Sequence, residues 1–303
     1  MIISELGNQA GFFSTFFFTL NHYIFAKKKN IRFVVKTNNW LYNSWTDYFE
    51  PITRTDREWS LEIPQTFGHQ KVLENFPLFE YRNAIPEVFV YNPKMKAQID
   101  AIKRDLGVLQ PGSYDAIYIR RGDKLIHEAT FSATEDYVSV LLAKNPDCKT
   151  VFLQTDDYTC YEELIDVLAS RKSTIKVITL CDSTMRGMVN FDSCYKDLDW
   201  ASKEHTYPQN CAYLQKVEKT MRETKSLNRM NDREIYDHQV EMLAGIDILL
   251  HSGICVCDYR SNVSRFVKLA HDNSSAVFDV NRPNIEIDYN NCFCPGYIQS
   301  MCY

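Results

Sequence analysis

A chain of 303 residues in which 45% are hydrophobic can bury a sizeable core, and its length suits two domains of about 100–200 residues each. A formal net charge of -5 with a pI near 5.8 excludes an extended basic face. Nucleic acid is therefore not expected as a partner, and any bound anion must be held by a local cluster. The opening "MIISELGNQ" lacks the basic start, apolar stretch and small-residue cleavage site of a secretory signal, which sets the expectation of a cytoplasmic protein.

In chain order, a short strand is expected at Ile2–Ser4, then Gly7-Asn8-Gln9, then a helix through the apolar run Ala10–Ala26, then "IRFVVKT" as a second strand. The run is broken by Ser14, Thr15, Thr19, Asn21 and His22 and is shorter than a membrane span of about 20 residues, so it reads as a buried helix on a sheet and no membrane span is expected. Residues 40–93, rich in aromatics and proline, read as loops and short elements near a cleft. Met95, Ile99, Ile102 and Leu106 mark a helix that Gly107 ends, and the Pro111-Gly112 turn follows. The expected division is a first α/β domain at 1–107, a second domain at 108–275, and a tail at 276–303 packing back on the first.

Strand and helix then alternate: "AIYIR" at 116–120, a helix around Glu135–Lys144, "TVFLQT" at 150–155, a helix around Tyr161–Ser170, and "IKVITL" at 175–180. Two more helical segments precede "ICVCDY" at 254–259 and a helix starting near Ser261. This order predicts an α/β fold with a parallel sheet covered by helices on both faces. Cys255 and Cys257, two apart in an apolar strand, read as core packing rather than a metal site, while Cys292, Cys294 and Cys302 form a looser terminal group.

The candidate chemistry lies in "AIYIRRGDKLIHEATFS" at 116–132, where an apolar strand runs into Arg120, Arg121, Asp123 and Lys124, with Glu128 downstream. Ligands of open α/β sheets sit beyond the carboxyl ends of the strands, which is where these charges fall. Neighbouring strand residues point to opposite faces, so one arginine is expected to bind ligand and the other to brace the loop. A guanidinium fork and a compact ammonium suit a diphosphate. "TDD" at Thr155–Asp157 follows the next strand, and "DYRSNVSRFVKLA" at 258–270 enters a helix whose expected N-cap, Ser261, would offer free N–H groups to a phosphate. Taken singly, each of these stretches is also compatible with a solvated loop or a simple cap.

"IRRGDKLIHEATF" resembles the "VRRTDKxxxEAxF" peptide of the α1,6-fucosyltransferase family and its bacterial chitin-oligosaccharide relatives. "TDD" and "YRSNVSR" resemble that family's second and third blocks, and "ELGNQAGFF" is similar to the "GNQ" opening of the protein O-fucosyltransferases. The resemblance implies a GT-B-like pair of Rossmann-type domains facing across a cleft, GDP-fucose as donor, inversion at the sugar carbon, a glycan acceptor, and neither cofactor nor metal. By position, it implies that Arg120 and Arg121 hold the family's paired arginines, with Lys124 near the phosphate and Glu128 near the acceptor hydroxyl. It places Gly7, Asn8, Asp157, Ser261 and Asn262 around the donor, and Asp247 at its guanine side. The catalytic set so implied is Glu128, Lys124 and Arg120, with Glu128 as base.

Tyr118 stands where the family has His, Gly122 replaces Thr, Asn262 replaces Gln, and Glu5 replaces an Arg. These departures keep two alternatives open: another nucleotide sugar such as GDP-rhamnose or a UDP-sugar, and a catalytically silent glycan-binding protein using the aromatic 40–93 segment. "KDLDW" at 196–200 has the spacing of a metal-binding DxD, but no hydrophobic strand precedes it and it reads as a solvated turn.

Overall fold

The computed structural model describes residues 2–7, 11–38, 40–52, 64–65, 76–127, 129–187, 210, 212–217, 224–290 and 292–293. The chain forms two compact units: Met1–Ala101 with Asp232–Val240 and Glu286–Tyr303, and Ile102–Asn231 with Glu241–Ile285.

In the first unit, β1 (Ile2–Glu5) lies between β2 (Phe33–Lys36) and β3 (Pro64–Gln65) in a parallel sheet. Helix α1 (Phe12–Lys29) joins β1 to β2, and Phe12, Phe13, Phe16, Phe17, Leu20, Tyr23 and Ile24 recur at the three-to-four residue spacing that buries one stripe. Lys27, Lys28 and Lys29 complement the dipole of its last turn, and Asn30 closes it in the left-handed conformation at φ 51°.

Two expectations change here. Trp40, Tyr42, Trp45, Tyr48 and Phe49 are core residues rather than cleft-lining loop residues, with Phe12 packed against Trp40, Tyr42, Tyr48 and Phe49. Residues Leu78–Val88 form a helix, α2, within the stretch read as irregular; Leu78, Tyr81, Ala84, Ile85 and Val88 are its buried face, and Pro86 falls near its end. β4 (Phe76–Pro77) leads into α2 and pairs antiparallel with Cys292–Phe293 from the terminal segment.

Helix α3 (Pro93–Leu106) carries the chain into the second unit. There β5 (Asp115–Ile119), β6 (Thr150–Thr155) and β7 (Lys176–Thr179) are followed by β8 (Cys255–Cys257) and β9 (Val277–Asp279) in one parallel sheet of order β7-β6-β5-β8-β9. Strand β9 corrects the expectation that 276–303 is a tail, since the first of those residues complete this sheet and the first unit takes over at Glu286. Ile117, Ile119, Val151, Leu153 and Val256 meet Tyr137, Val138, Leu141 and Leu164 of helices α5 (Thr134–Lys144) and α6 (Thr159–Ser170) in its core. Cys255 and Cys257 are fully buried in β8.

This strand order reverses between β5 and β8: from β5 the chain builds outward through β6 and β7, then returns to add β8 and β9 on the other side. The connections leave the carboxyl ends of β5 and β8 in opposite directions, which opens a crevice between them.

Candidate functional site

Strand β5 ends at Ile119, and Gly122 makes the turn into α4 (Lys124–His127) at φ 45°, a left-handed value that favours glycine. The two arginines in between part ways. Arg120 is partly exposed and pairs with Asp123 through Nη2 and with Asp156 through Nη1. Arg121 is buried: its guanidinium donates to Glu163 at 2.7 and 3.2 Å and to the Thr134 hydroxyl at 3.0 Å, and lies 4.6 Å from the ring centroids of both Phe131 and Tyr213. Arg121 is thus held along its Nη edge by Glu163 and Thr134, with the Phe131 and Tyr213 rings packed together beside it at 5.2 Å between centroids. Burial of Glu163 acts to raise its pKa, but the hydrogen bond and charge of Arg121, with the Thr134 hydroxyl, outweigh it and hold the carboxyl below its ordinary value.

The second acidic block divides in the same way. Asp156 at the end of β6 reaches Arg120 and accepts the Arg121 main-chain N–H at 2.8 Å, tying β6 to the turn after β5. Asp157 is buried, accepts from the Thr159 N–H at 3.0 Å, the Thr159 hydroxyl and the Tyr213 hydroxyl, and burial raises its pKa. Its carboxylate serves the start of α6, while the acidic residue beside Arg120 is Asp156.

Across the crevice, Ser261 caps the helix Asn262–Ala270, as expected, though its hydroxyl makes no capping bond. Burial holds the Tyr118 hydroxyl of β5 well above the usual phenol pKa. Asn262 opens the helix and accepts from Arg265 at 3.1 Å; Arg265, buried, also donates to the Tyr259 carbonyl at 2.9 Å. Arg260 chelates Asp258 at 2.8 and 2.9 Å and donates to Thr130 and Ser132. The structure thus brings Arg120 and Lys124, after β5, and Ser261 and Asn262, after β8, to adjacent carboxyl ends of one sheet.

Asp247 does not join them. It lies one turn from the end of the helix Asp232–Leu250, which delivers the chain to the start of β8, and its carboxylate pairs with Lys103 at 2.6 Å. The adjoining Ile248 carbonyl accepts from Tyr114, just before β5, so this pair belongs to the amino ends of the strands, opposite the crevice. Gly7 follows β1 in the other unit. Asn8, Glu128, Cys294, Cys302 and "KDLDW" lie outside the described residues. Among the described residues, no group of three or more His, Cys, Asp or Glu side chains is placed to hold a metal ion.

Sequence reasoning passed over Asp156, Glu163, Asn210, Tyr213, Arg260 and Arg265. Asp156, Arg260 and Arg265 sat inside quoted motifs; Glu163, Asn210 and Tyr213 are brought in by the fold from remote positions.

The two parallel-sheet units and the switch-point site define the chain as an α/β protein of GT-B-like fold. It is similar in structure to the α1,6-fucosyltransferase NodZ soaked with GDP-fucose, with a TM-score of 0.50 over 94% of this chain and 96% of that one at 12% identity. The selenomethionine form of fucosyltransferase NodZ from Bradyrhizobium matches over the same shares with a TM-score of 0.51 and 12% identity. No protein-family model and no curated protein sequence matches the chain.

Proposed function

We propose that this protein is a metal-independent, inverting glycosyltransferase that moves fucose from GDP-fucose to a hydroxyl of a glycan acceptor. The observation that carries the reading is the switch-point crevice, flanked by Arg120 and Lys124 on one side and by the helix N-terminus at Ser261 and Asn262 on the other. A fold shared with a GDP-fucose-soaked fucosyltransferase supports the same substrate.

In the proposed reaction the acceptor oxygen attacks the anomeric carbon from the face opposite the diphosphate. The bond from that carbon to the diphosphate oxygen breaks, GDP leaves, and the acceptor proton passes to Glu128, the base assigned from sequence. The negative charge growing on the leaving diphosphate meets Arg120, Lys124 and the positive end of the helix Asn262–Ala270. Asp123 and Asp156 offset part of that positive charge but hold the Arg120 fork in one plane, so its orientation precedes binding.

A different nucleotide sugar is the second reading. Tyr118, buried in β5 one residue before its carboxyl end, stands in the position where the family pattern has His. The described aromatics between 40 and 52 are packed in the core and give the silent glycan-binding alternative no support.

The test is calorimetry with GDP and GMP, followed by transfer assays across nucleotide sugars before and after exhaustive EDTA treatment. GDP is expected to bind more tightly, and transfer from GDP-fucose to survive EDTA. Equal affinities would remove the diphosphate cradle; activity lost and restored by Mn²⁺ would overturn metal independence.

A further inference from the structure

Asn210 is remote in sequence from every motif above, yet its side chain is fully buried against the loop that follows the paired arginines. Its Nδ2 donates to the Leu125 carbonyl at 2.9 Å and the Ala129 carbonyl at 2.7 Å, while its Oδ1 accepts the Phe131 N–H at 2.7 Å. All of these partners are main-chain groups of one short stretch, and they bracket position 128. A carboxamide has two N–H donors and an acceptor oxygen in one plane, and this site uses both ends.

The loop needs such a partner. Helix α4 is a single turn of four residues, too short to sustain itself, and its one continuation is the Ala129 N–H donating to the Lys124 carbonyl at 2.9 Å. Beyond it, Phe131 turns its ring onto the Arg121 guanidinium, and Thr130 and Ser132 accept from Arg260. Tyr213, in the helical stretch 212–217 just after Asn210, packs beside Phe131 at 5.2 Å between ring centroids and also lies against Arg121. One segment thus supplies both the clasp on the loop and the lid on the arginine at its base.

We propose that Asn210 is a positioning residue for transfer: by clasping Leu125, Ala129 and Phe131 it holds the loop that carries the acceptor-side base, and it does so without touching the donor. This rests on the proposed function. A base displaced by a fraction of an ångström loses much of its effect, whereas the diphosphate contacts at Arg120 and Ser261 lie outside the clasp.

The experiment is Asn210→Ala and Asn210→Asp, read by amide hydrogen exchange, GDP affinity and single-turnover transfer. For Asn210→Ala we expect exchange across 125–131 to accelerate about tenfold or more while β5 keeps its protection, transfer to fall about tenfold or more, and GDP affinity to stay within about threefold. Asn210→Asp matches the wild-type shape but cannot donate to the two carbonyls, so it should behave no better. Wild-type transfer by the Asp variant would show that only packing matters and overturn the proposal. So would unchanged exchange at 125–131, or a loss of protection spread equally through β5. If Asn210→Ala does not fold, Asn210→Ser, which retains a hydroxyl, is read by the same criteria. The underlying reading fails separately, by Glu128→Gln transferring at the wild-type rate or by no nucleotide sugar being turned over; the exchange arm then decides the clasp alone.

Discussion

Arg120 and Arg121 are chain neighbours with the same formal charge, and the strand end gives them different work. Arg121 is caged by Glu163, Thr134, Phe131 and Tyr213, and removing it strands a partly buried carboxylate. Arg121→Ala should therefore lower stability by about 3–5 kcal/mol in urea unfolding. Arg120→Ala should weaken GDP binding by about 1.5–3 kcal/mol in calorimetry and, because it strands the largely buried Asp156, also lower the unfolding midpoint. GDP affinity therefore separates the two, and a loss of GDP binding in Arg121→Ala but not in Arg120→Ala would exchange their roles. The pair also sets an acid limit. The Glu163 carboxyl titrates in the folded chain below its ordinary value of 4.5, because Arg121 and Thr134 outweigh its burial. Its contribution is present above that value and is lost as pH falls through the lower, folded-state pKa. Urea midpoints measured from about pH 6 to about pH 3 should accordingly fall less steeply in Glu163→Gln than in wild type.

At the scale of elements, direction of travel decides which residues can meet. Motifs that leave a parallel strand at its carboxyl end were legible in the sequence: Arg120–Lys124 after β5, Asp156 after β6 and Ser261 after β8 need only strand identity to be placed on one edge. Asp247 was misplaced because it precedes a strand. A helix crossing back over a parallel sheet ends at the amino edge, and there Asp247 meets Lys103. Asp247→Asn should therefore leave GDP affinity unchanged and lower stability by about 1–3 kcal/mol, the loss expected of a charge-assisted hydrogen bond. A matching loss of GDP affinity, measured by calorimetry, would return Asp247 to the donor site. Helix α2 was missed for a different reason: Pro86 and the surrounding aromatics obscured a regular spacing of Leu78, Tyr81, Ile85 and Val88.

Over the whole molecule, the chain passes from the first unit to the second at Ile102, returns for Asp232–Val240, and returns again at Glu286. The last return supplies the partner strand of β4, the Tyr289 carbonyl that accepts from Phe79, and the Tyr289 ring under Arg82. A chain ended after Ile285 should melt at a lower temperature yet retain GDP affinity within about threefold, since Arg120, Lys124, Ser261 and Asn262 all belong to the second unit. Loss of GDP binding on that truncation would show that the first unit or the terminal segment contributes to the donor site.

The sequence by itself determined the α/β class, the alternation that builds the parallel sheet, and the motifs at its carboxyl edge. Each of these depends on local periodicity or on residues adjoining a strand. Only the tertiary structure decided that Arg121 is a brace, that Asp156 rather than Asp157 meets Arg120, that Asn210 clasps the loop and that Asp247 faces away. Those assignments depend on which donors and acceptors are left facing each other once the core has closed. Burial makes most such polar groups find a partner, but nothing local in the chain says which one.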